Sequence, residues 1–177
     1  MAKGIAGRTQ GIHQADGGFQ TNVGVVAITE ERVLKFDDDG GGGIAGVFTM
    51  VPIDIPAGAT IQDIRVQAIA LWNAGTSAVL LLGDTEDPNG FYDNVNLKAT
   101  DLLANQILSF ETMDAHGIAG AYLTQAANLR NTYRSAATKV TAIVTLVGTA
   151  ATTGELRVLV TYVVPIDFVK TSTYVAT

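Results

Sequence analysis

Cysteine is absent from the 177 residues. Its absence excludes disulfide frameworks, thiolate zinc sites and cysteine nucleophiles together. Charge is scarce as well. Asp, Glu, Lys and Arg make up 16% of the chain, against about 25% in an average globular domain. A surface with so little charge suits coverage by neighbouring subunits. Basic residues number 11, form no run, and leave a net charge of −6, so no nucleic-acid partner is expected. Long apolar runs are missing too. The longest aliphatic stretch, residues 78–82, is far short of the ~20 residues a membrane helix needs, and no membrane partner is expected. The opening MAKGIAGRTQGIHQ lacks the apolar core of a signal peptide. A soluble chain is the expectation.

Catalytic chemistry is thin. Only two histidines occur, His13 and His116, and neither has a Ser neighbour at motif spacing. No G-x-S-x-G and no Walker A sequence is present. Gly41, Gly43 and Gly46 satisfy G-x-G-x-x-G. They follow three aspartates and open a strand, whereas the dinucleotide fingerprint follows a strand and opens a helix. The carboxylate pairs Glu111 with Asp114 and Glu155 with Asp167 have the spacing of ordinary rim residues rather than of a glycosidase centre. No enzyme, no catalytic residue and no cofactor is expected.

What is present is β-type alternation. Residues 1–43 differ from the rest: rich in Gly and Gln, with one apolar run at 23–28, they end in three aspartates and four glycines at 37–43. Glycine lowers both helix and strand stability, so this segment reads as an N-terminal arm with one short strand and a flexible hinge. The body reads as residues 44–168, with a tail at 169–177. In 47–55 the odd-numbered residues, Val47 to Ile55, share one face, and Pro52 marks an edge strand or a bulge. A second strand places Ile64, Val66, Ala68, Ala70 and Trp72 on one side. A third, buried on both faces, covers 77–82. Residues 83–96 read as a long loop, 98–105 as one or two helical turns, and 107–111 as a short strand. Residues 112–121 are a Gly-rich connection, and 122–137 suit a helix and a strand equally. Two strong strands at 140–147 and 156–164, joined by a turn at 149–154, read as an antiparallel hairpin.

The sum is seven or eight strands with at most one minor helix. That pattern predicts an all-β fold: an antiparallel β-sandwich, jelly-roll-like, with an extended N-terminal arm. An immunoglobulin-like sandwich is the alternative. One internal echo exists, Val51-Pro52-Ile53-Asp54 and Val164-Pro165-Ile166-Asp167; both copies stand at strand ends, where proline would blunt an open edge.

The most polar loop, Asp84-Thr85-Glu86-Asp87-Pro88-Asn89-Gly90, has the carboxylate density of a calcium site. The EF-hand pattern fails on it, because Pro88 occupies a ligand register and Asn96 stands where the distal Glu would fall. No metal ligand is assigned. Asp87-Pro88-Asn89-Gly90 is a strong β-turn sequence. Phe91 and Tyr92 follow it and read as exposed contact residues, whereas Trp72 reads as core. The candidate contact loop is therefore Asp84, Glu86, Asp87, Phe91 and Tyr92.

The stretch LGDTEDPNGFY at 82–92, followed by AATTGELRVLVTY at 150–162, resembles structural proteins of tailed bacteriophages. There a strand ends in a GD-x-x-DP-x-G-F loop, and a closing strand after a small-residue turn finishes in Tyr. The resemblance spans residues 44–168 and implies a virion component with a small β-sandwich. A capsid decoration (cement) protein is the implied role: a homotrimer on the outer capsid surface, made in the host cytoplasm, that binds the major capsid protein and bridges its joints. The resemblance supplies no catalytic residue. The alternative is another virion part (tail, neck or fibre base) or a sugar-binding sandwich used in host attachment.

Overall fold

In the computed structural model the described residues are 23–38, 46–98, 101–124 and 133–167. Nine strands occur among them: β1 Val23–Lys35, β2 Val47–Thr49, β3 Ile53–Ile55, β4 Thr60–Ala70, β5 Ser77–Gly83, β6 Tyr92–Asn96, β7 Ile107–Leu108, β8 Thr138–Val147 and β9 Glu155–Asp167. A 3₁₀ turn, Met113–His116, and the short helix α1, Ala121–Thr124, complete the list. The chain divides into two units. One is Ala27–Val164; the other is Met1–Val26 with Pro165–Thr177, of which 23–26 and 165–167, the outer ends of β1 and β9, are described.

The expected all-β sandwich is what forms. One sheet has the order β1-β9-β4-β7; the other has β2-β8-β5-β6, with β3 also on β8. The pairings are nested: β1 with β9, β2 and β3 with β8, β4 with β7, β5 with β6. Inward residues alternate along each strand, as a period of two requires. Ile64, Val66 and Ala68 of β4 and Leu156, Val158, Val160 and Tyr162 of β9 are buried, as are Ala78, Leu80 and Leu82 of β5 and Val140, Ala142, Val144 and Leu146 of β8. Together they form one core between the sheets. Trp72 is core, as expected, and its ring lies 5.8 Å from that of Phe48.

Several expectations change. The 140–147 and 156–164 strands are not a hairpin: β8 pairs with β2, β3 and β5, and β9 pairs with β4. The small-residue link between them arches from one sheet to the other. Asn73 ties it down: its Oδ1 accepts from the amides of Thr152 and Thr153 at 2.8 and 3.1 Å, and its Nδ2 donates to Thr152 Oγ1 at 2.8 Å.

Residues 47–55 do not keep one parity. Phe48 and Met50 are buried, and then Ile53 and Ile55 are. Thr49 opposes Ile143 while Ile53 opposes Val140, so four steps on one strand meet three on its partner. One extra residue at Pro52 is a bulge on the edge strand of this sheet, where proline's missing N–H is tolerated. The first copy of the Val-Pro-Ile-Asp echo forms this break, and the second closes β9.

The third strand is not buried on both faces, since Ser77, Val79 and Leu81 are half-exposed. The loop expected at 83–96 is shorter, because β6 occupies its last third. No helix forms in the described part of 98–105. Side chains capture its amides instead: Asn96 Oδ1 accepts from Lys98 N and Gln106 Oε1 from Leu103 N, both at 2.8 Å, a competition that disfavours helix. Of the ambiguous 122–137, α1 takes the start, and 125–132 lie outside the described residues. In the expected arm, the strand extends past residue 28 to Lys35, with Thr29 Oγ1 2.9 Å from Thr161 Oγ1 of β9. Residues 1–22, most of the hinge (39–43) and the tail from 168 lie outside the described residues.

Candidate functional site

β5 ends at Gly83, and Asp84 caps the loop that follows. Its Oδ1 accepts from the amides of Glu86 and Asp87, both at 3.0 Å, the self-bonding turn that Asp favours. Asp87 then closes the turn, its carbonyl accepting from Asp84 N and Gly90 N, both at 3.0 Å. Gly83 is needed here, because an added Cβ would run into the backbone of Asp87 and Pro88. The chain returns along β6, with Phe91 N donating to Leu82 O at 3.0 Å.

A second layer closes over this loop. Gly120 N donates to Phe91 O and Tyr122 N to Gly90 O, at 2.9 and 2.8 Å. Tyr122 then donates its hydroxyl to Asp84 Oδ1 at 2.9 Å. Arg134 Nη2 lies 3.1 Å from Asp84 Oδ2, and both side chains are buried. The guanidinium also sits 5.3 Å from the Phe91 ring centre and 5.0 Å from that of Tyr122, within cation–π range. Phe91 is stacked on Phe110 and meets Tyr122 edge-on, at 5.8 and 5.2 Å. Burial, and then the Asp84 hydrogen bond, push the Tyr122 phenol well above its ordinary range. It stays a neutral donor.

The oxygens and the cation of this node are turned on each other, so its chemistry is that of a latch. Arg134 Nε and Nη2 find no aligned acceptor among the described residues, and the pair is held by charge rather than by a full set of hydrogen bonds. A small cavity of about 150 Å³ lies against it, lined by Asp84, Thr85, Glu86 and the 133–138 segment.

The five expected contact residues divide. Glu86 is exposed, Asp87 is half-buried and Asp84 is buried. Phe91 and Tyr92 are fully buried, which corrects the expectation that they are exposed. The polar turn before them is bent back onto the sandwich, and residues 118–124 cover it. Tyr92 donates its hydroxyl to Ile64 O at 2.5 Å. Arg134 was legible in no local pattern, since its partner lies 50 positions away.

The weighed catalytic candidates are described only in part. His116 and Glu111 are exposed, and Glu155 lies 4.0 Å from Lys35. The side chains of Asp114 and Asp167, and all of His13, lie outside the described residues. Among the described residues no three His, Asp or Glu side chains come together as a metal site, and no helix is long and apolar enough to cross a membrane.

Comparison with known proteins places the fold. No family model matches the chain, and no curated protein matches it. Among solved structures it is similar to a chain of the capsid asymmetric unit of cyanophage Pam1. The match has a TM-score of 0.51 at 18% identity, over 80% of this chain and 87% of that one. The two share a fold. Chains from the acid-stable capsid of Helicobacter pylori bacteriophage KHP30 and from the capsid of Ralstonia phage GP4 also align. Their TM-scores are 0.46 and 0.43, with 16% and 14% identity; they cover 82% and 80% of this chain, and 98% and 84% of their own.

Proposed function

We propose that this chain is a structural component of a tailed-bacteriophage virion, a decoration protein that binds the outer capsid surface and stabilises the joints between major capsid subunits. One observation carries the reading: the sandwich shares its fold with a chain of a phage capsid over most of both lengths. Topology supports it. Counting β2 and β3 as one interrupted strand, the nested pairings are those of a β-hairpin folded back on itself. That nesting supports the reading of a double-sheet jelly roll, an architecture used by viral capsid domains. Charge scarcity supports it too, since ionisable residues are depleted at the centre of protein interfaces.

The mechanism is burial without chemistry. A contact of ~1,600 Å² is specific on its own, and the repeats of a shell multiply it. Residues 1–43, proposed as an arm in which β1 is anchored, would reach across neighbours. The contact loop enters through its outward residues, Thr85, Glu86 and Pro88. The sugar-binding alternative loses its aromatic platform, because Phe91 and Tyr92 are core.

The test mixes purified chain with expanded capsids that lack it. Saturable binding, with a rise in the temperature at which the particles rupture, is the expected result. Absence of both refutes the proposal.

A further inference from the structure

An open sheet edge presents unpaired backbone groups to any other strand, so proteins guard it. Most edges of this sandwich are guarded. β7 is two residues long. The β2–β3 edge is broken at Pro52. β6 is covered by residues 118–119, with Asp93 N donating to Ile118 O at 2.9 Å. β1 is the exception. It stands at the end of the β1-β9-β4-β7 order, and from Ala27 to Lys35 it contains no proline. Phe36 N, just past its end, donates to Gly154 O at 2.9 Å. Along an antiparallel strand, residues that bond one neighbour alternate with residues that point away from it. The even residues of β1 therefore bond β9, and the N–H and C=O of Thr29, Glu31 and Val33 point to the open side. Two contacts agree. Lys35, of the same parity, gives its edge groups to the turn that follows: its N donates to Asp38 Oδ2 at 2.6 Å and its O accepts from Asp38 N at 3.2 Å. Glu31 O accepts from Arg32 Nη1 at 2.8 Å. Among the described residues no strand pairs with this side of β1.

We infer that this edge pairs, antiparallel, with the same edge of a second copy, across a two-fold axis at Glu31. The order of residues along the strand argues for that occupant. Turned about Glu31, the strand is its own complement: Ile28 comes opposite Leu34 of the second copy, Thr29 opposite Val33, and Glu30 opposite Arg32. Symmetry makes each pair twice. Glu30 Oε2 and Arg32 Nη2 already lie 3.3 Å apart within one chain, and the dimer exchanges that ion pair between copies. An axis at Glu30 or at Arg32 sets like charges opposite each other, which is unfavourable. Glu31 meets Glu31 at the chosen axis, and Arg157 stands 3.1 Å from each to offset them. Glu30, Glu31, Arg32 and Lys35 leave residues 27–35 with no net charge, so the acidity of the chain lies elsewhere. As Arg32 moves to the second copy, Glu31 O is freed for an amide across the axis. About six backbone hydrogen bonds then join the two sheets. The inference stands whether or not the capsid is the further partner.

Sedimentation of the full chain over a concentration series tests it. A monomer–dimer equilibrium with a Kd of about 1–100 μM is expected. Glu30→Arg and Arg32→Glu each turn both cross-strand ion pairs into like-charge pairs, and each should weaken the dimer about 10-fold or more. An equimolar mixture of the two variants should recover it, because a chain with Arg at both positions complements a chain with Glu at both. Hydrogen exchange of the parent chain gives a readout that needs no variant: the amides of Thr29, Glu31 and Val33 should exchange fast in dilute protein and slow as the dimer forms. A monomer at all concentrations up to about 500 μM overturns the inference. So does an assembly, including the trimer implied by the phage resemblance, that both variants leave intact, or a mixture that recovers nothing. Amides already protected in the monomer overturn it as well, since the chain's own residues would then cover the edge.

Discussion

Replacing Asp84 by Asn tests the latch most sharply. Asn keeps the Oδ1 acceptor that serves Glu86 N, Asp87 N and the Tyr122 hydroxyl. What it removes is the charge opposite Arg134. The guanidinium is then a buried cation with no counter-ion, and Nε and Nη2 already lack aligned acceptors among the described residues. Breaking one side of a buried pair costs about 3–5 kcal/mol. The two aromatic faces at 5.0 and 5.3 Å return part of that, so about 3 kcal/mol is expected. For a body of this size that lowers Tm by roughly 6–12 °C. Arg134→Met strands a carboxylate that still has three donors, and should cost about 2 kcal/mol. The double variant decides the matter. Independent sites would lose about 5 kcal/mol, whereas a coupled pair should lose only about 2, because neither charge is left stranded. Urea melts of the four proteins measure this cycle. A fully additive double variant, or an Asp84→Asn variant as stable as the parent, refutes the latch.

Three further outcomes follow from the geometry. Burial, and then the hydrogen bond it donates to Glu30, raise the Tyr162 phenol from 10.0 to about 12. Its contribution is thus complete below pH 10 and lost as pH rises through about 12; Tyr162→Phe should flatten that decline in an alkaline denaturation series, and an unchanged slope counts against it. Gly83→Ala sets a methyl group against the Asp87 and Pro88 backbone, so a loss of about 3 kcal/mol or more is expected in chemical denaturation, and a neutral variant rejects the loop closure described. Asn73→Ala frees the amides of Thr152 and Thr153 at a water-accessible site; about 1–2 kcal/mol should be lost, together with faster amide hydrogen exchange in the arch at 148–154.

Much of the layer structure was legible in advance. Alternation marked β4, β8 and β9, a continuous apolar run marked β5, and Pro52 marked an edge strand or a bulge. Misreadings arose where local pattern is ambiguous about distance. A Gly-ended turn between two alternating strands serves a hairpin and an arch equally, and it became an arch between sheets. Phe91 and Tyr92 followed a run of carboxylates and were taken for surface, yet Tyr122, 30 positions further on, closes over that loop. Asp84 and Arg134 are 50 positions apart, so no spacing rule couples them. The carboxylate candidates were read as ordinary rim residues; Glu111 is exposed and Glu155 lies 4.0 Å from Lys35.

From its residue order alone this chain was bound to be a β protein poor in charge. A period of two assigns each side chain to one of two faces, and 17 acids against 11 bases set the sign of its field. Which strand neighbours which was left to the tertiary structure. Every strand offers the same backbone donors and acceptors, so alternation says what points inward but not what stands alongside. Packing of the two sheets around one core selected the nested pairings. The same packing buried Phe91, Tyr92 and the Asp84–Arg134 pair.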